Sequence, residues 1–342
     1  MNITELRSHL LAGHVIPAHP LALTSRRRLD ERRQRALTRY YLASGAGGVA
    51  VGVHTTQFAV RTHGFLPAVL ALAADTVRLE ATAPCALIAG AVGDTKQAVH
   101  EARLAREIGY DAVLLSLGGM PDATDAQLIA HCRAVSEELP LFGFYLQPAV
   151  GGRVLGESFW RELAQIERLV AIKIAPFNRY RTLDVVRAMA DVGRDDVALY
   201  TGNDDNILLD LLTPVPSPRG PRRIAGGLLG QWAVWTSRAV AMLREIRAMR
   251  DAPIADAALL ARAAALTDAN AAIFDAANDF RGCIAGIHEV LRRQGLLAGT
   301  WCLEPTERLS PGQAAAIARV CAAYPELGDD AFVAEHQDAW LR

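Results

Sequence analysis

Residues 169–175 read LVAIKIA, six apolar side chains around a single lysine, Lys173. The run is too uniformly apolar to alternate between core and solvent, and it predicts a strand buried on both faces, as in a parallel sheet. Seven more runs of this kind lie outward from it: VIPAHPLAL (15–23), GVAVGV (48–53), CALIAGAV (85–92), AVLLSL (112–117), LPLFGFYL (139–146), VALYTG (197–202) and RRIAGGLLG (222–230). They start roughly 25 to 35 residues apart, one strand–helix unit each. The stretches between them read as helices at 30–43, 94–108, 125–138, 157–167, 179–192 and 231–250. The clearest is 94–108, with Asp94 as N-cap, apolar side chains at helical spacing, and Gly109 as the stop.

Eight strand–helix repeats without a change of composition predict an α/β fold, a closed (β/α)8 (TIM) barrel, over residues 1–250. TPVPSPRGP (213–221) is a Pro/Gly-rich loop inserted before the eighth strand. After residue 250 the strand signal stops. Helices at 256–277, 281–294 and 313–323, with a short last one near Trp340, predict a C-terminal helical appendage over 251–342. Trp232 and Trp235, at i and i+3, read as core or subunit contacts.

The chain has 342 residues, 36 basic against 37 acidic, 51% hydrophobic and 21% charged. This balance gives no nucleic-acid footprint, and no apolar run is long enough to span a membrane. The N-terminus lacks the pattern of an export signal. Five cysteines (85, 132, 283, 302 and 321), odd in number and without metal or redox spacing, read as free thiols of a reducing cytoplasm. The histidines form no HxH or HExxH pattern, so no metal site is expected.

Of the 36 basic residues only Lys96 and Lys173 are lysines. Arginine fills the positions that merely need a positive charge. Lys96 sits in a polar helix start, whereas Lys173 is inside a strand. In such a barrel the C-terminal strand ends face the active site. They nominate His19, the His54-Thr55-Thr56 stretch, Tyr145, Lys173, the Thr201-Gly202-Asn203-Asp204-Asp205 stretch, and Gly226-Gly227. A lysine in low dielectric loses its charge readily from a free pKa of about 10. The neutral amine condenses with a ketone or aldehyde to a Schiff base, an electron sink for making or breaking C–C bonds. Tyr145, 28 residues earlier on the adjacent strand, is suited to moving protons to the adduct. The structural alternatives are an ion pair of Lys173 with Asp204 or Asp205 and a barrel tyrosine with a satisfied hydroxyl. Asn203, Asp204 and Asp205 read either as a helix N-cap with first-turn carboxylates or as hydrogen-bond partners of a polyol-like tail. Gly226, Gly227 and Gly230 offer N–H groups to a phosphate or permit close backbone packing.

The succession GVAVGVHTT, LFGFYLQP, LVAIKIA, YTGNDD and IAGGLLG resembles the dihydrodipicolinate synthase / N-acetylneuraminate lyase family of Schiff-base aldolases. The resemblance runs from IPAHPLAL and Asp30 to GLLAGTWCLEPTERLSP (295–311). It implies a barrel with C-terminal helices in a homo-oligomer, dimer or tetramer. The substrates it implies are a small 2-oxo acid such as pyruvate and an aldehyde, with no cofactor. It assigns Lys173 to the Schiff base, Tyr145 to the proton relay, and Thr55 and Thr56 to the substrate carboxylate; Gly202, Asn203, Asp204 and Gly227 complete the expected substrate contacts.

The departures bear on the acceptor. The family's Gly-Thr-Thr-Gly-Glu is His54-Thr55-Thr56-Gln57-Phe58, and its Tyr-Asn-x-Pro is Tyr145-Leu146-Gln147-Pro148. Val150 stands where the synthases carry an arginine for a second carboxylate, with Arg153 as a substitute only if the loop folds differently. The tyrosine that follows strand four is missing from SLGGMPDA (116–123). A lyase with a different acceptor is the leading expectation. The alternatives are a non-catalytic binding or regulatory barrel and a phosphate-binding sugar aldolase or isomerase.

Overall fold

The computed structural model describes residues 1–250 and 257–342. Each expected apolar run contains a strand: β1 (Val15–Pro17), β2 (Gly48–Val51), β3 (Ala86–Ala91), β4 (Ala112–Leu115), β5 (Leu141–Leu146), β6 (Leu169–Ala175), β7 (Ala198–Thr201) and β8 (Gly226–Leu229). They form one sheet in the order β1-β8-β7-β6-β5-β4-β3-β2. A parallel bridge between Ala18 and Ala50 joins the two ends of that order. This is a (β/α)8 barrel with C-terminal helices. Every residue of β3, β5 and β6 is buried, which explains the unbroken apolar runs.

The helix signals act where expected. Asp94 accepts a hydrogen bond from the Gln97 N–H, and Gly109 at φ 98° ends the helix Thr95–Ile108. Among the described residues three helices have no range in the sequence reading, Ile3–Ala12, Leu66–Glu80 and the short Ile207–Leu212. The first carries a legible signal, a capping box between Asn2 and Glu5. The helix expected from residue 231 starts at Thr236, because residues 231–233 form a 3-10 turn and Trp235 is left-handed at φ 55°. The last helix, Asp330–Trp340, is eleven residues rather than short. The expected boundary after residue 250, and the first residue of the helix expected at 256–277, fall at the edge of or within 251–256, outside the described residues.

The described chain divides into two compact units. One comprises Met1–His14, Ala86–Asn203 and Ile207–Leu228; the other comprises Val15–Cys85, Asp204–Asn206 and Leu229–Arg342. In the second unit the helix Thr236–Met249 has no side-chain cap of its own. Asp329, 4% exposed, supplies one: its Oδ2 accepts from the Ser237 N–H and hydroxyl, each at 3.1 Å, and from the Tyr40 hydroxyl at 2.8 Å. Gln294 donates to Oδ1 at 2.8 Å. A carboxylate at the positive end of a helix satisfies N–H groups that would otherwise be orphaned.

The same unit holds two fully buried imidazoles. His19 Nδ1 lies 2.8 Å from the Pro20 carbonyl oxygen and Nε2 2.9 Å from the Thr38 hydroxyl. The Gln34 side-chain amide nitrogen also lies 3.0 Å from Nδ1, so both ring nitrogens have polar partners. Burial holds both His19 and His288 down from 6.5 to about 4. Below 6.5 the unfolded chain binds protons that the native state refuses, so stability falls with pH until about 4. That difference is worth about 3 kcal/mol for each histidine. Urea unfolding at pH 7, 6, 5 and 4 is expected to show this loss, and His19→Gln is expected to flatten the slope. A slope unchanged by that substitution excludes His19 as a cause.

Candidate functional site

Lys173 is on β6 and 8% exposed. The register sets it opposite Phe144 on β5 and Tyr200 on β7. Residues paired across a parallel sheet share a face, and Lys173 Nζ lies over the Phe144 ring, 4.6 Å from its centroid. Space for the lysine comes from Gly202, which follows β7. A Cβ there would stand 2.7 Å from Lys173 Cε and 2.8 Å from Ala175 Cβ.

Tyr145 pairs with Ile174 and so faces the other way. Its ring packs on Trp160 of the helix Glu157–Leu163 at 5.0 Å. Its hydroxyl donates to the Leu155 carbonyl at 3.1 Å and accepts from the Leu155 N–H at 3.3 Å. Burial raises its pKa. The expected Lys173–Tyr145 pair is therefore not brought together. The spacing of 28 residues puts both on neighbouring strands, but the strand period of two decides the face, and Phe144 takes the place beside the lysine.

Asn203 also differs from the expected substrate contact. Its Oδ1 accepts from the Phe177 N–H at 3.0 Å, and its Nδ2 donates to Asp210 at 2.9 Å and to Thr182 at 3.3 Å. Asp210, on the helix Ile207–Leu212, further accepts from the Thr201 hydroxyl at 2.6 Å and pairs with Arg179. Asn203 thus ties the end of β7 to the segment after β6, with no amide group left over for a ligand.

Arg153 is committed as well. Its guanidinium donates to the Met120 and Ala123 carbonyls at 2.7 and 2.9 Å, stapling the loop after β5 to the loop after β4. The same loops touch backbone to backbone, since a Cβ on Gly118 would fall 1.9 Å from the Gly151 oxygen. No tyrosine fits there. The Gly227 N–H donates to the His14 carbonyl at 3.1 Å, and a Cβ on Gly226 would strike His14. Close packing, rather than phosphate binding, accounts for these glycines.

In the second unit Thr55 and Thr56 lie on a 3-10 turn after β2, buried. The Thr55 hydroxyl donates to the Ala18 carbonyl and that of Thr56 to the His19 carbonyl, each at 2.7 Å. Thr56 also accepts from the Gly52 N–H. Neither hydroxyl proton is left to donate to a carboxylate. His54 is half-buried, its ring edge-on to Phe58. Asp204 accepts from the Gln231 N–H at 3.3 Å, and its carbonyl and that of Asp205 are held by Asn270 and Thr267. The Asp204 carboxylate thus caps the turn at 231–233. Among the described residues no cluster of His, Cys, Asp or Glu is placed to hold a metal ion, and no helix is long and apolar enough to cross a membrane.

Phe144, Ser116 and Asp210 belong to this neighbourhood and were not singled out by sequence. Strand parity counted back from Lys173 and across to β5 was the available signal for Phe144. Gly202→Ala is expected to lower stability by about 1–3 kcal/mol through overpacking against Lys173, read as a fall in the melting temperature. An unchanged melt places the lysine stem elsewhere.

The model of the dihydrodipicolinate synthetase family matches residues 12–214, more than half of the chain. A 4-hydroxy-tetrahydrodipicolinate synthase of Anaeromyxobacter dehalogenans is 28% identical over 183 residues, 53% of this chain and 59% of that relative. The match thus spans less than two thirds of the relative's length. Among solved structures, CdNal from Clostridium difficile, in complex with mannosamine, superposes with a TM-score of 0.74 at 17% identity, over 91% of this chain and 99% of that one. Dihydrodipicolinate synthase from Oceanobacillus iheyensis does so with a TM-score of 0.74 at 19% identity, over 95% and 99%. At these identities the likeness is one of fold. With the eight-stranded sheet and the sequence match from the first strand past the seventh, the chain belongs to the dihydrodipicolinate synthetase family.

Proposed function

We propose that the chain is a class I lyase in which Lys173 forms a Schiff base with pyruvate or another 2-oxo acid, for carbon–carbon or carbon–oxygen bond making or breaking with an aldehyde partner. The observation that carries the reading is the placement of Lys173 itself. It is one of two lysines in the chain, almost wholly buried on a central strand, with its amine over an aromatic ring and a glycine kept opposite its stem. The amine attacks the C2 carbonyl, the carbinolamine loses water, and the iminium withdraws electrons from C3. The iminium is the electron sink, so the reading calls for no cofactor. Free thiols suit a reducing cytoplasm, and the family resemblance suits a dimer or tetramer.

Reduction with borohydride in the presence of a panel of 2-oxo acids, followed by peptide mass spectrometry, is expected to leave one adduct, on the peptide containing Lys173. Lys173→Arg is expected to abolish it with the fold intact, since arginine stays charged. Labelling at Lys96, or none with any 2-oxo acid, would falsify the reading.

The acceptor follows from the loop after β5. Val150 offers no charge, and Arg153 is spent on the Met120 and Ala123 carbonyls. A second substrate carboxylate therefore forgoes a charge-assisted bond of about 1.5–3 kcal/mol. Neutral or hydroxylated aldehydes are expected to outrun aspartate semialdehyde by roughly 10- to 150-fold in kcat/KM; the reverse order, abolished by Arg153→Ala, shows that Arg153 leaves its carbonyls to bind substrate. A second reading, a barrel that binds 2-oxo acids without turning them over, is favoured by Phe144 standing where a relay hydroxyl is expected. Adduct formation without turnover on any aldehyde distinguishes it.

A further inference from the structure

We propose that Ser116 supplies the hydroxyl that moves protons to and from the adduct on Lys173, a role that rests on the lyase reading above. Leu114 pairs with Phe142, and Phe142 with Ala171. Two residues further along each chain the row is Ser116, Phe144, Lys173, and β6 continues it to Tyr200. Ser116 directly follows β4, and its N–H donates to the Ala91 carbonyl of β3 at 2.9 Å, so the β3–β4 ladder holds the chain extended through this residue and keeps the alternation of Leu114. Ser116 therefore shares the face of Lys173, two strands away.

Adjacent strands are about 4.8 Å apart. Lys173 Nζ leans over the β5 ring, which leaves about one strand spacing between the amine and Ser116. The C3 carbon of a 2-oxo acid imine stands two bonds from that nitrogen, within this gap.

The other hydroxyls at the ends of β5 and β7 are committed. Tyr145 is held by Leu155, and Thr201 by Asp210. Tyr200 reaches the Leu10 carbonyl at 2.8 Å and takes the His14 N–H. Ser116, 6% exposed, has no hydrogen-bond partner for its hydroxyl among the described residues. Above it the loop backbones meet at Gly118 and Gly151, and a Cβ on Gly118 would lie 3.7 Å from Ser116 Oγ. The hydroxyl thus lies close beneath the main chain at Gly118.

In the step assigned to it, the C3–H bond of the iminium breaks and its electron pair forms the C2=C3 bond. The C2=N pair returns to nitrogen. The Ser116 oxygen takes the C3 proton as its own O–H proton passes to a solvent water, which carries it to bulk as hydronium, so serine is unchanged at the end and the net proton is released. Reversal protonates the enamine.

The test is exchange of the pyruvate C3 protons in deuterium oxide, followed by proton NMR, alongside borohydride trapping on the same samples. The unaltered chain is expected to trap and exchange. Ser116→Ala is expected to trap at Lys173 to the same extent while exchange slows about 10²–10⁴-fold. Ser116→Thr, which keeps a hydroxyl, is expected to recover most of the rate. Exchange in Ser116→Ala within about twofold of the unaltered chain, against the span expected of a general acid–base group, overturns the proposal and leaves the lyase reading standing. Loss of trapping in Ser116→Ala without recovery in Ser116→Thr marks a packing residue and overturns it too. No adduct on the unaltered chain overturns the lyase reading itself, and the serine's role with it.

Discussion

A strand turns successive side chains to opposite faces, and the register of β5 against β6 spends that rule on one decision: Phe144, not Tyr145, stands beside Lys173. Much of this half of the molecule follows from it. Phe142 and Tyr200 continue the lysine face and meet edge-on at 5.6 Å. Tyr145, Gly143 and Ile174 continue the other, where the space over Gly143 is filled by Leu163 of the helix Glu157–Leu163. A slip of one residue in β5 would exchange the two sets entirely. Trp160 and the Leu155 main chain then would lose the tyrosine they now hold, so the register is fixed from both faces.

Two buried carboxylates keep the surrounding elements in place, each within its own unit. Asp210 gathers Thr201, Asn203 and Arg179 behind the end of β7. Asp329 gathers Tyr40, Ser237 and Gln294 at the start of a helix that has no cap of its own. Leaving a buried carboxylate short of hydrogen-bond donors costs at least about 1–3 kcal/mol, and more for a charged group. That cost explains why polar side chains in sequence-nominated positions, such as Asn203, are held by such a carboxylate. An amide beside a buried carboxylate is used first to satisfy it.

The fold was legible because parallel strands buried on both faces leave an unbroken apolar signature, and all eight were found by it. Helix ends were legible where a single residue decides, as at Asp94 and Gly109. They were not legible where the deciding group is remote: Asp329 caps a helix more than ninety residues earlier in sequence. Lys173 stood out by rarity and context. The pairing of Phe144 rather than Tyr145 with Lys173 is not legible, because the motif Tyr-x-x-Pro fixes a residue type and a spacing but not a face. Nor does sequence reveal which hydroxyl protons are already spent, as those of Thr55 and Thr56 are on main-chain carbonyls.

Replacing a hydroxyl by an aromatic face beside the reactive nitrogen changes which intermediate is favoured. A ring quadrupole attracts a cation over its face, by about 0.5–2 kcal/mol depending on exposure. The iminium is the cation of the sequence, whereas the enamine formed from it is neutral. On the proposed mechanism Phe144 would therefore stabilise the first against the second, and the deprotonation that links them would be the harder step. A tyrosine would have both faced the cation and taken its proton. In the proposed mechanism the two tasks fall to different strands, charge to Phe144 on β5 and proton movement to a hydroxyl elsewhere on the same row. On that proposal, turnover as a lyase, as against binding of a 2-oxo acid alone, turns on the second group.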